Sequence, residues 1–292
     1  MTPSVTATAS PAAIEPAADS LPATQRVAFG LSYDGSAFHG FAAQRRVATV
    51  AGALCDALSA RFSFEATLTA AGRTDTGVHA LSQVVHVDLP RAALERSVRH
   101  RFEVGDELPE LARVLTNQLR PHVVVWRALV VSEEFDARHS ALARRYRYDI
   151  ETSPRLDPLR QQGCWHVGRE LDLAVMRVGT DPLIGEHSFA GFCRQPAGQA
   201  PGPLLRRVHA ARWQELEPGW LRFEIEAKAF CHQMVRSIVG TLVEIGQHRR
   251  SPAEVTARLR SGSRVGAAKL APPHGLCLIA VRYPEALGGD WC

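Results

Sequence analysis

A single carboxylate, Asp75, lies in the glycine-rich stretch AGRTDTGVHA at residues 71–80. It is either the nucleophile of a reaction that works without metal or cofactor, or a cap for a backbone group in a tight turn. A phosphate-binding loop is excluded, because the pattern G-x-x-x-x-G-K-[ST] is absent and no lysine lies nearby. A metal site or an aspartyl-phosphate is not indicated, since the loop has no second acid beside His79 and His86.

A nucleophilic carboxylate at Asp75 predicts cations around it, because a buried acid without a partner is costly. Arg73 stands two residues before it, and a second cation is required from elsewhere in the chain. Arg236 is the leading candidate, since it is isolated among apolar residues of a helix predicted over about 230–245. A purely structural ion pair, for example with Glu244, remains the alternative at this point.

The elements that position Asp75 follow from local periodicity. Alternating apolar residues predict a strand over 26–33, and Thr49 is the predicted N-cap of the helix that follows. Strands over 66–71 and 82–90 place Asp75 in an excursion between two strands, where a rigid scaffold can hold a reactive group.

The rest of the chain alternates between strands and helices in two similar runs. The predicted elements are a helix over 111–119 ended by Pro121, strands over 122–131, 143–150, 220–227 and 275–284, and a last helix over 251–262. In that last helix, Ser251 and Glu254 form a predicted capping box and Gly262 ends the helix. In the helix over 230–245, Gly240 lies one turn beyond Arg236, so another backbone can approach there.

These runs divide the chain into four segments. Residues 1–25 are predicted to be a disordered tail, because they have few bulky side chains to bury. Residues 26–131 form an N-terminal half with the Asp75 loop, residues 132–285 a C-terminal half, and residues 286–292 a short C-terminal tail.

Composition favours a soluble protein and permits a nucleic-acid partner. The net charge is +4, and of 34 basic residues only Lys228 and Lys269 are lysines, although codon bias explains an arginine excess equally well. No apolar run is long enough to span a membrane, and no secretory signal is apparent. The six scattered cysteines form no C-x-x-C pair, so reduced thiols in the cytoplasm are expected.

Six motifs, in order along residues 26–284, resemble the tRNA pseudouridine synthase A family, named for positions 38–40 in the anticodon arm of tRNA. They are YDGS with GF (33–36, 40–41), GRTDTGVHA (72–80), FDARHSALARRYRY (135–148), LIGEHSFAGF (183–192), AFCHQMVRSIVGTLVEIG (229–246) and GLCLIAVRYP (275–284). The resemblance implies an α+β fold in which two similar α/β halves share a mixed, largely antiparallel sheet flanked by helices. It also implies a homodimer that acts on tRNA and needs no cofactor.

The resemblance also implies roles for four residues in converting uridine to pseudouridine. Asp75 matches the family's catalytic aspartate, and Tyr146 matches the tyrosine that contacts the target base. Arg236 matches the arginine that pairs with the aspartate, and Arg73 the loop arginine implicated in displacing the base. Removal of the C5 hydrogen by Tyr146 is a hypothesis, and whether Asp75 attacks the base or the sugar stays open.

The chain departs from the family pattern near its amino terminus. Phe41 and Ala42 stand where tryptophan followed by glutamine is usual, and Ala51-Gly52 stands where a glutamine is common. Segment 194–207 is read as a loop of the RNA-binding surface, and His232 as a packed helix residue. Six exposed arginines are candidate phosphate contacts or ordinary surface charges: Arg45, Arg46, Arg99, Arg101, Arg206 and Arg207.

Two other functions remain open on the sequence. The first is an RNA-binding or chaperone protein that folds tRNA without modifying it, although such a protein has no need of a buried nucleophile. The second is a synthase acting on another uridine or another RNA. The order of the six motifs favours the anticodon-arm family.

Overall fold

Strands and helices follow one another along the chain in a computed structural model that describes residues 23–98, 101–194 and 204–292. Within these ranges the chain forms one sheet of eleven strands and six α-helices. The strands are β1 (Thr24–Tyr33), β2 (Thr69–Ala70), β3 (His79–Pro90), β4 (Val123–Val130), β5 (Ala143–Glu151), β6 (Trp165–His166), β7 (Gly185–Ser188), β8 (Leu205–Glu217), β9 (Trp220–Ala227), β10 (Leu276–Arg282) and β11 (Asp290–Trp291). The helices are α1 (Val50–Phe62), α2 (Arg91–Val98), α3 (Pro109–Leu119), α4 (Leu173–Thr180), α5 (Met234–Gly246) and α6 (Ala253–Ser261).

The sheet is mixed and largely antiparallel, as expected. Its strand order is β4-β1-β3-β10-β5-β9-β8-β7, with the short strands β2, β6 and β11 paired to β3, β5 and β10. Only β10 with β3 and β5 with β6 run parallel among the strands described. The late strand β10 therefore lies between the strands of the first half and those of the second, and joins them into one sheet. The half boundary after residue 131 stays a prediction.

The pairing of β3, β10 and β5 brings the two halves of the site together. Leu278 of β10 lies opposite Ala80 of β3 on one side and opposite Tyr146 of β5 on the other. Because Asp75 precedes β3 by only a few residues, its loop emerges beside the row that contains Tyr146. A long-range strand order thus places residues from distant parts of the sequence at one point.

Local periodicity predicted several elements correctly. Strand β9 alternates half-buried and buried residues over its whole length, as its sequence WLRFEIEA requires. Thr49 caps α1, where its side chain accepts a hydrogen bond from the backbone N–H of Gly52 at 3.1 Å. Helix α5 is buried on nearly every face, which agrees with its apolar circumference.

Element ends differ from expectation at several places. β1 begins at Thr24, inside the predicted tail, whose residues 1–22 lie outside the described residues. The strand predicted over 66–71 is reduced to β2, Thr69–Ala70. β8 begins at Leu205, within the segment read as a loop over 194–207, of which residues 195–203 lie outside the described residues.

Helix α5 begins at Met234, later than predicted. Gln233 before it has a left-handed backbone with φ +64°, so the chain turns there and the helix starts one residue later. Residues 230–233 therefore form a turn at the head of the helix. The apolar pattern alone could not detect this, because Phe230 and Cys231 are partly buried against the core without being helical.

The predicted capping box of the last helix is wrong. Glu254 does not turn back to Ser251, because its Oε1 accepts hydrogen bonds from Arg250 Nη1 at 2.9 Å and from Arg258 Nε at 2.9 Å. The Glu254 carboxylate therefore forms ion pairs with two arginines instead of capping the helix. Gly262 does end α6, with a left-handed backbone at φ +61°.

Candidate active site

An open cleft of about 1680 Å³ contains all four site residues predicted from the sequence, Asp75, Tyr146, Arg73 and Arg236. Its walls come from both halves of the chain, from the loop before β3 on one side and from β5, β8 and the start of α5 on the other. A cleft of this size admits a nucleotide with its neighbours, rather than a single small molecule.

Asp75 and Arg236 form an ion pair at the floor of this cleft. Arg236 Nη1 donates to Asp75 Oδ2 at 3.0 Å across 161 residues of sequence, and the two side chains are 12% and 24% exposed. The guanidinium is aimed by a second bond, from its Nε to the backbone oxygen of Ala271 at 2.8 Å. Arg236 therefore holds one oxygen of the carboxylate inside a partly water-excluded site.

The alternative pairing of Arg236 with Glu244 is not the one that forms. Glu244 accepts from Arg250 Nε and from the backbone N–H of Lys269, the latter at 3.0 Å. Gly240 lies between the two charged residues on α5, and a Cβ there would be only 2.0 Å from the backbone oxygen of Lys269. The close backbone approach predicted at Gly240 is thus confirmed, and the approaching segment is the one that carries Ala271.

The backbone of the Asp75 loop is anchored residue by residue. Gln83 Nε2 donates to the oxygen of Gly72 at 2.8 Å, and the Tyr33 hydroxyl bonds to Thr74 Oγ1 at 2.8 Å. The backbone N–H of Phe41 donates to the oxygen of Thr74 at 3.1 Å. These partners are buried, so the loop is held from below by the core of the first half.

Arg144 joins the loop to the second half. Its buried guanidinium donates through Nε and Nη2 to the backbone oxygen of Ala71 at 3.0 and 2.7 Å, and through Nη1 to that of Lys228 at 2.6 Å. Nη2 also donates to the oxygen of Arg138 at 2.5 Å. Burial lowers the pKa of this guanidinium, and the carbonyl oxygens of three segments offset that cost. Sequence reasoning missed Arg144, although the alternation of β5 places it on the same buried face as Tyr146 and Tyr148.

Tyr146 lies beside the loop at the base of the cleft. It is 7% exposed, and its ring meets Phe230 edge-on at 5.0 Å between centroids. A Cβ added at Gly72 would lie 3.6 Å from the Tyr146 hydroxyl, so the loop passes close to the hydroxyl end of this side chain. Burial raises the pKa of Tyr146, with the Tyr33 phenol adding to the effect. At neutral pH the side chain is therefore a protonated phenol. Its hydroxyl can donate a hydrogen bond, and its ring can contact a nucleobase.

Arg73 lies in the cleft as expected from the loop sequence, whereas the position of His232 was not expected. Arg73 is exposed on the cleft wall, and within the described residues the basic side chains in contact with the Asp75 carboxylate are Arg236 and His232. His232 was expected to be a packed helix residue, which is wrong. Its side chain is 50% exposed in the turn before α5, with Nε2 at 3.5 Å from Asp75 Oδ1. The only signal was its position four residues before Arg236.

Comparison with known proteins identifies the family. Residues 181–284 match the family model described as tRNA pseudouridine synthase. The chain is 41% identical to tRNA pseudouridine synthase A of Frankia casuarinae, with 89% of each chain covered. It is 39% identical to the protein of the same name from Streptomyces griseus, covering 90% of this chain and 89% of that one. The chain belongs to the tRNA pseudouridine synthase A family.

Similarity extends beyond these two relatives. A tRNA pseudouridine synthase A of Idiomarina loihiensis is 38% identical, covering 89% of this chain and 94% of its own. A chain in a solved structure entitled "Crystal Structure of a Cbf5-Nop10-Gar1 Complex" aligns with a TM-score of 0.32 at 14% identity, over 75% of this chain and 45% of that chain. That alignment is too distant to support any argument here.

The departure from the family pattern at Phe41 lies in the core beneath the loop. Phe41 is 2% exposed and packs on Tyr33 with ring centroids 6.1 Å apart. Its backbone oxygen accepts from Ala51 N at 2.9 Å, so the substituted segment is tied to α1. Phenylalanine therefore fills the position as an apolar side chain and keeps the support of the Asp75 loop.

The cleft walls are strongly basic. Of the six arginines considered as phosphate contacts, Arg206 and Arg207 line the cleft, and Arg99 lies outside the described residues. Arg45, Arg46 and Arg101 are exposed but are not among the residues that line it. Further cationic or imidazole side chains line the walls, against the acids Asp75 and Glu186: Arg138, His139, Lys228 and His209. Such walls attract a polyanion.

Three further observations concern cysteines, membranes and metals. Reduced thiols were expected throughout, but Cys193 and Cys231 are joined by a disulfide, with their Cα atoms 5.8 Å apart. In the part of the chain that the structure describes, no helix has the length and apolar character needed to cross a membrane. The same residues contain no group of three or more His, Cys, Asp or Glu side chains that could hold a metal ion.

Proposed function

We propose that this family member converts uridine to pseudouridine in the anticodon arm of tRNA, at positions 38–40, with Asp75 as the nucleophile. The observation that supports this most directly is the Asp75–Arg236 ion pair at the floor of a basic cleft, next to Tyr146. A binding module needs the basic walls but has no use for a carboxylate held in this way. The relatives' names supply the reaction and the tRNA substrate.

The reaction exchanges one bond of the nucleotide for another. The bond from N1 of uracil to ribose C1′ breaks, the bond from C5 to C1′ forms, the C5 hydrogen leaves as a proton and N1 gains one. Asp75 forms a transient covalent bond to the nucleotide, and Arg236 aligns the carboxylate for that attack. The change is redox-neutral and adds no group, so the proposed chemistry requires no cofactor.

The target uridine must leave its stack to reach Asp75, which costs a few kcal/mol. We assign Arg73 to this step, since it is exposed on the same loop two residues from the nucleophile and can enter the vacated space or hold a phosphate. Tyr146 supplies a buried aromatic face on which the freed uracil can rest while it turns. Because its phenol is protonated at neutral pH, its proposed part is contact with the base.

The same proposal includes the tRNA partner, the homodimer and the cellular location of the protein. The basic walls around Arg206 and Arg207 bind the tRNA backbone, with a salt dependence that follows the number of phosphates neutralised. The protein acts as a homodimer in the cytoplasm, where its substrate is found.

The test uses unmodified transcripts of tRNA with uridine at each position from 38 to 40. Pseudouridine is mapped by position after incubation with the wild-type protein, with Asp75→Asn and with Asp56→Asn as a matched control. Asp56 is an exposed carboxylate on α1. We expect Asp75→Asn to lose roughly a thousandfold or more in rate while Asp56→Asn retains it. Tight tRNA binding without pseudouridine would support the binding-module alternative, and product at other positions would change the target.

A further inference from the structure

His232 contacts the nucleophile on the oxygen that Arg236 leaves free. Its Nε2 lies 3.5 Å from Asp75 Oδ1, whereas Arg236 Nη1 lies 3.0 Å from Oδ2. The imidazole is half-exposed and lines the cleft, so the contact faces the space where the nucleotide enters. Catalytic hydrogen bonds are often long in the free enzyme and tighten when substrate binds.

The backbone of His232 is held in place from two directions. Its oxygen accepts a hydrogen bond from the backbone N–H of Arg194 at 3.0 Å, and the preceding residue, Cys231, is joined to Cys193. The following residue, Gln233, has the left-handed backbone that turns the chain into α5. A non-glycine residue in that region costs free energy, and such positions cluster at functional sites. The turn therefore presents the imidazole to Asp75.

We propose that His232 is a positioning residue for Asp75. A carboxylate held at one oxygen still rotates about its own axis, and a donor at the second oxygen stops that rotation. Arg236 holds Oδ2, and His232, with a proton on Nε2, holds Oδ1 at the angle from which Asp75 attacks. A misplacement of about 1 Å in such a group can cost roughly a hundredfold in rate. This inference rests on the proposed function, because it assigns a role within the same reaction.

The first experiment compares two substitutions at His232 under single-turnover conditions with saturating tRNA. Leucine removes the donor and keeps similar volume, whereas the Nε2 of glutamine can donate from nearly the same place as that of histidine. We expect His232→Leu to lower the rate constant about ten- to a hundredfold, with the tRNA dissociation constant within about twofold and an unchanged melting temperature. His232→Gln should recover at least half of this loss, measured on the logarithm of the rate constant.

His248 provides the matched control. Its Nε2 lies 3.4 Å from Asp172 Oδ2, nearly the same contact, but the pair is exposed and outside the residues that line the cleft. His248→Leu should leave the single-turnover rate unchanged. The proposal is overturned if His232→Leu keeps the wild-type rate, or if its loss lies in tRNA affinity or melting temperature. It is also overturned if glutamine restores nothing.

A second measurement tests the contact without turnover. The imidazole nitrogen resonances of His232 are followed by NMR in the free protein and in Asp75→Asn. We expect the Nε2 signal to move when the carboxylate is removed, while the His248 signals stay in place; an unmoved Nε2 signal refutes the proposal. If the wild type makes no pseudouridine and the NMR shift is present, the proposed function fails and the positioning contact stands. If the wild type is active and the Nε2 signal does not move, the proposed function stands and the positioning role of His232 fails.

Discussion

Replacing Gly240 with alanine tests whether the contact behind the active site is as close as the structure shows. The added Cβ would lie 2.0 Å from the backbone oxygen of Lys269, where ordinary contact begins at 3.4 Å. The neighbouring backbone must therefore move by more than an ångström. That segment includes Ala271, whose oxygen aims Arg236 at Asp75. A substitution in the middle of α5 should thus disturb the position of Asp75.

Two opposing terms set the size of the effect on stability. Alanine in place of glycine inside a helix stabilises it by about 1 kcal/mol. Overpacking a close contact costs about 1–3 kcal/mol, and a backbone neighbour belongs at the upper end because it cannot rotate away. The net expectation for Gly240→Ala is a loss of roughly 2 kcal/mol, which lowers the melting temperature by roughly 4–8 °C. The single-turnover rate should fall roughly ten- to a hundredfold, because Arg236 no longer aligns the carboxylate.

Gly163→Ala is the control for this measurement, since a Cβ at that position meets nothing within 4 Å. Its stability and rate should stay within about 0.5 kcal/mol and twofold of the wild type. Melting and urea titration of both variants give the stability, and pseudouridine formation on tRNA gives the rate. A Gly240→Ala protein that is more stable than the wild type and equally active would show that helix propensity dominates, and would refute the reasoning.

Three further predictions concern buried or partly buried titratable side chains. Arg144→Lys should lower pseudouridine formation at least about tenfold, because one ammonium cannot replace the guanidinium bonds to Ala71 and its neighbouring carbonyls. Arg222→Met should lower the free energy of unfolding by about 3 kcal/mol, since it removes a bidentate partner of the buried Asp149. Burial lowers the pKa of His86 in the folded protein below 6.5. Its contribution to the free energy of unfolding is therefore complete above pH 6.5 and is lost as the pH falls through the lowered pKa of the folded state. His86→Gln should flatten the dependence of the free energy of unfolding on pH, measured by urea titration.

Each of these has a result that would contradict it. Wild-type activity of Arg144→Lys would show that charge alone anchors the loop. Asp149→Asn combined with Arg222→Met should recover most of the lost stability, and strict additivity of the two losses would mean that the pair is not coupled. An unchanged slope of stability against pH in His86→Gln would assign the acid sensitivity to other groups, of which His274 is the first to examine because burial also lowers its pKa.

Much of the fold was predictable because strand and helix periodicity is a local property. The alternation in β9 and the Thr49 cap of α1 depend on neighbours a few residues away, and both predictions are confirmed. Family membership was predictable from the ordered motifs and is confirmed by the relatives. The start of α5 was not predictable, because it depends on a left-handed residue, Gln233, inside an apolar run.

The sequence by itself indicated most of the long strands and helices and singled out Asp75 as the candidate catalytic carboxylate. Asp75 stands out locally, since it is the only acid in a glycine-rich loop between two strands. The roles of Asp75, Tyr146, Arg73 and Arg236 stay predictions until they are measured.

Only the tertiary structure decided what surrounds the carboxylate. Arg236 reaches Asp75 across 161 residues, His232 faces its other oxygen, and Arg144 ties the loop to the opposite half. The sequence indicated Arg236 as a candidate partner, but it left a pairing with Glu244 open and did not predict the contacts of His232 and Arg144, because all three contacts depend on β10 lying between β3 and β5. Long-range pairing of strands brings the two halves together, and the cleft exists only where they meet.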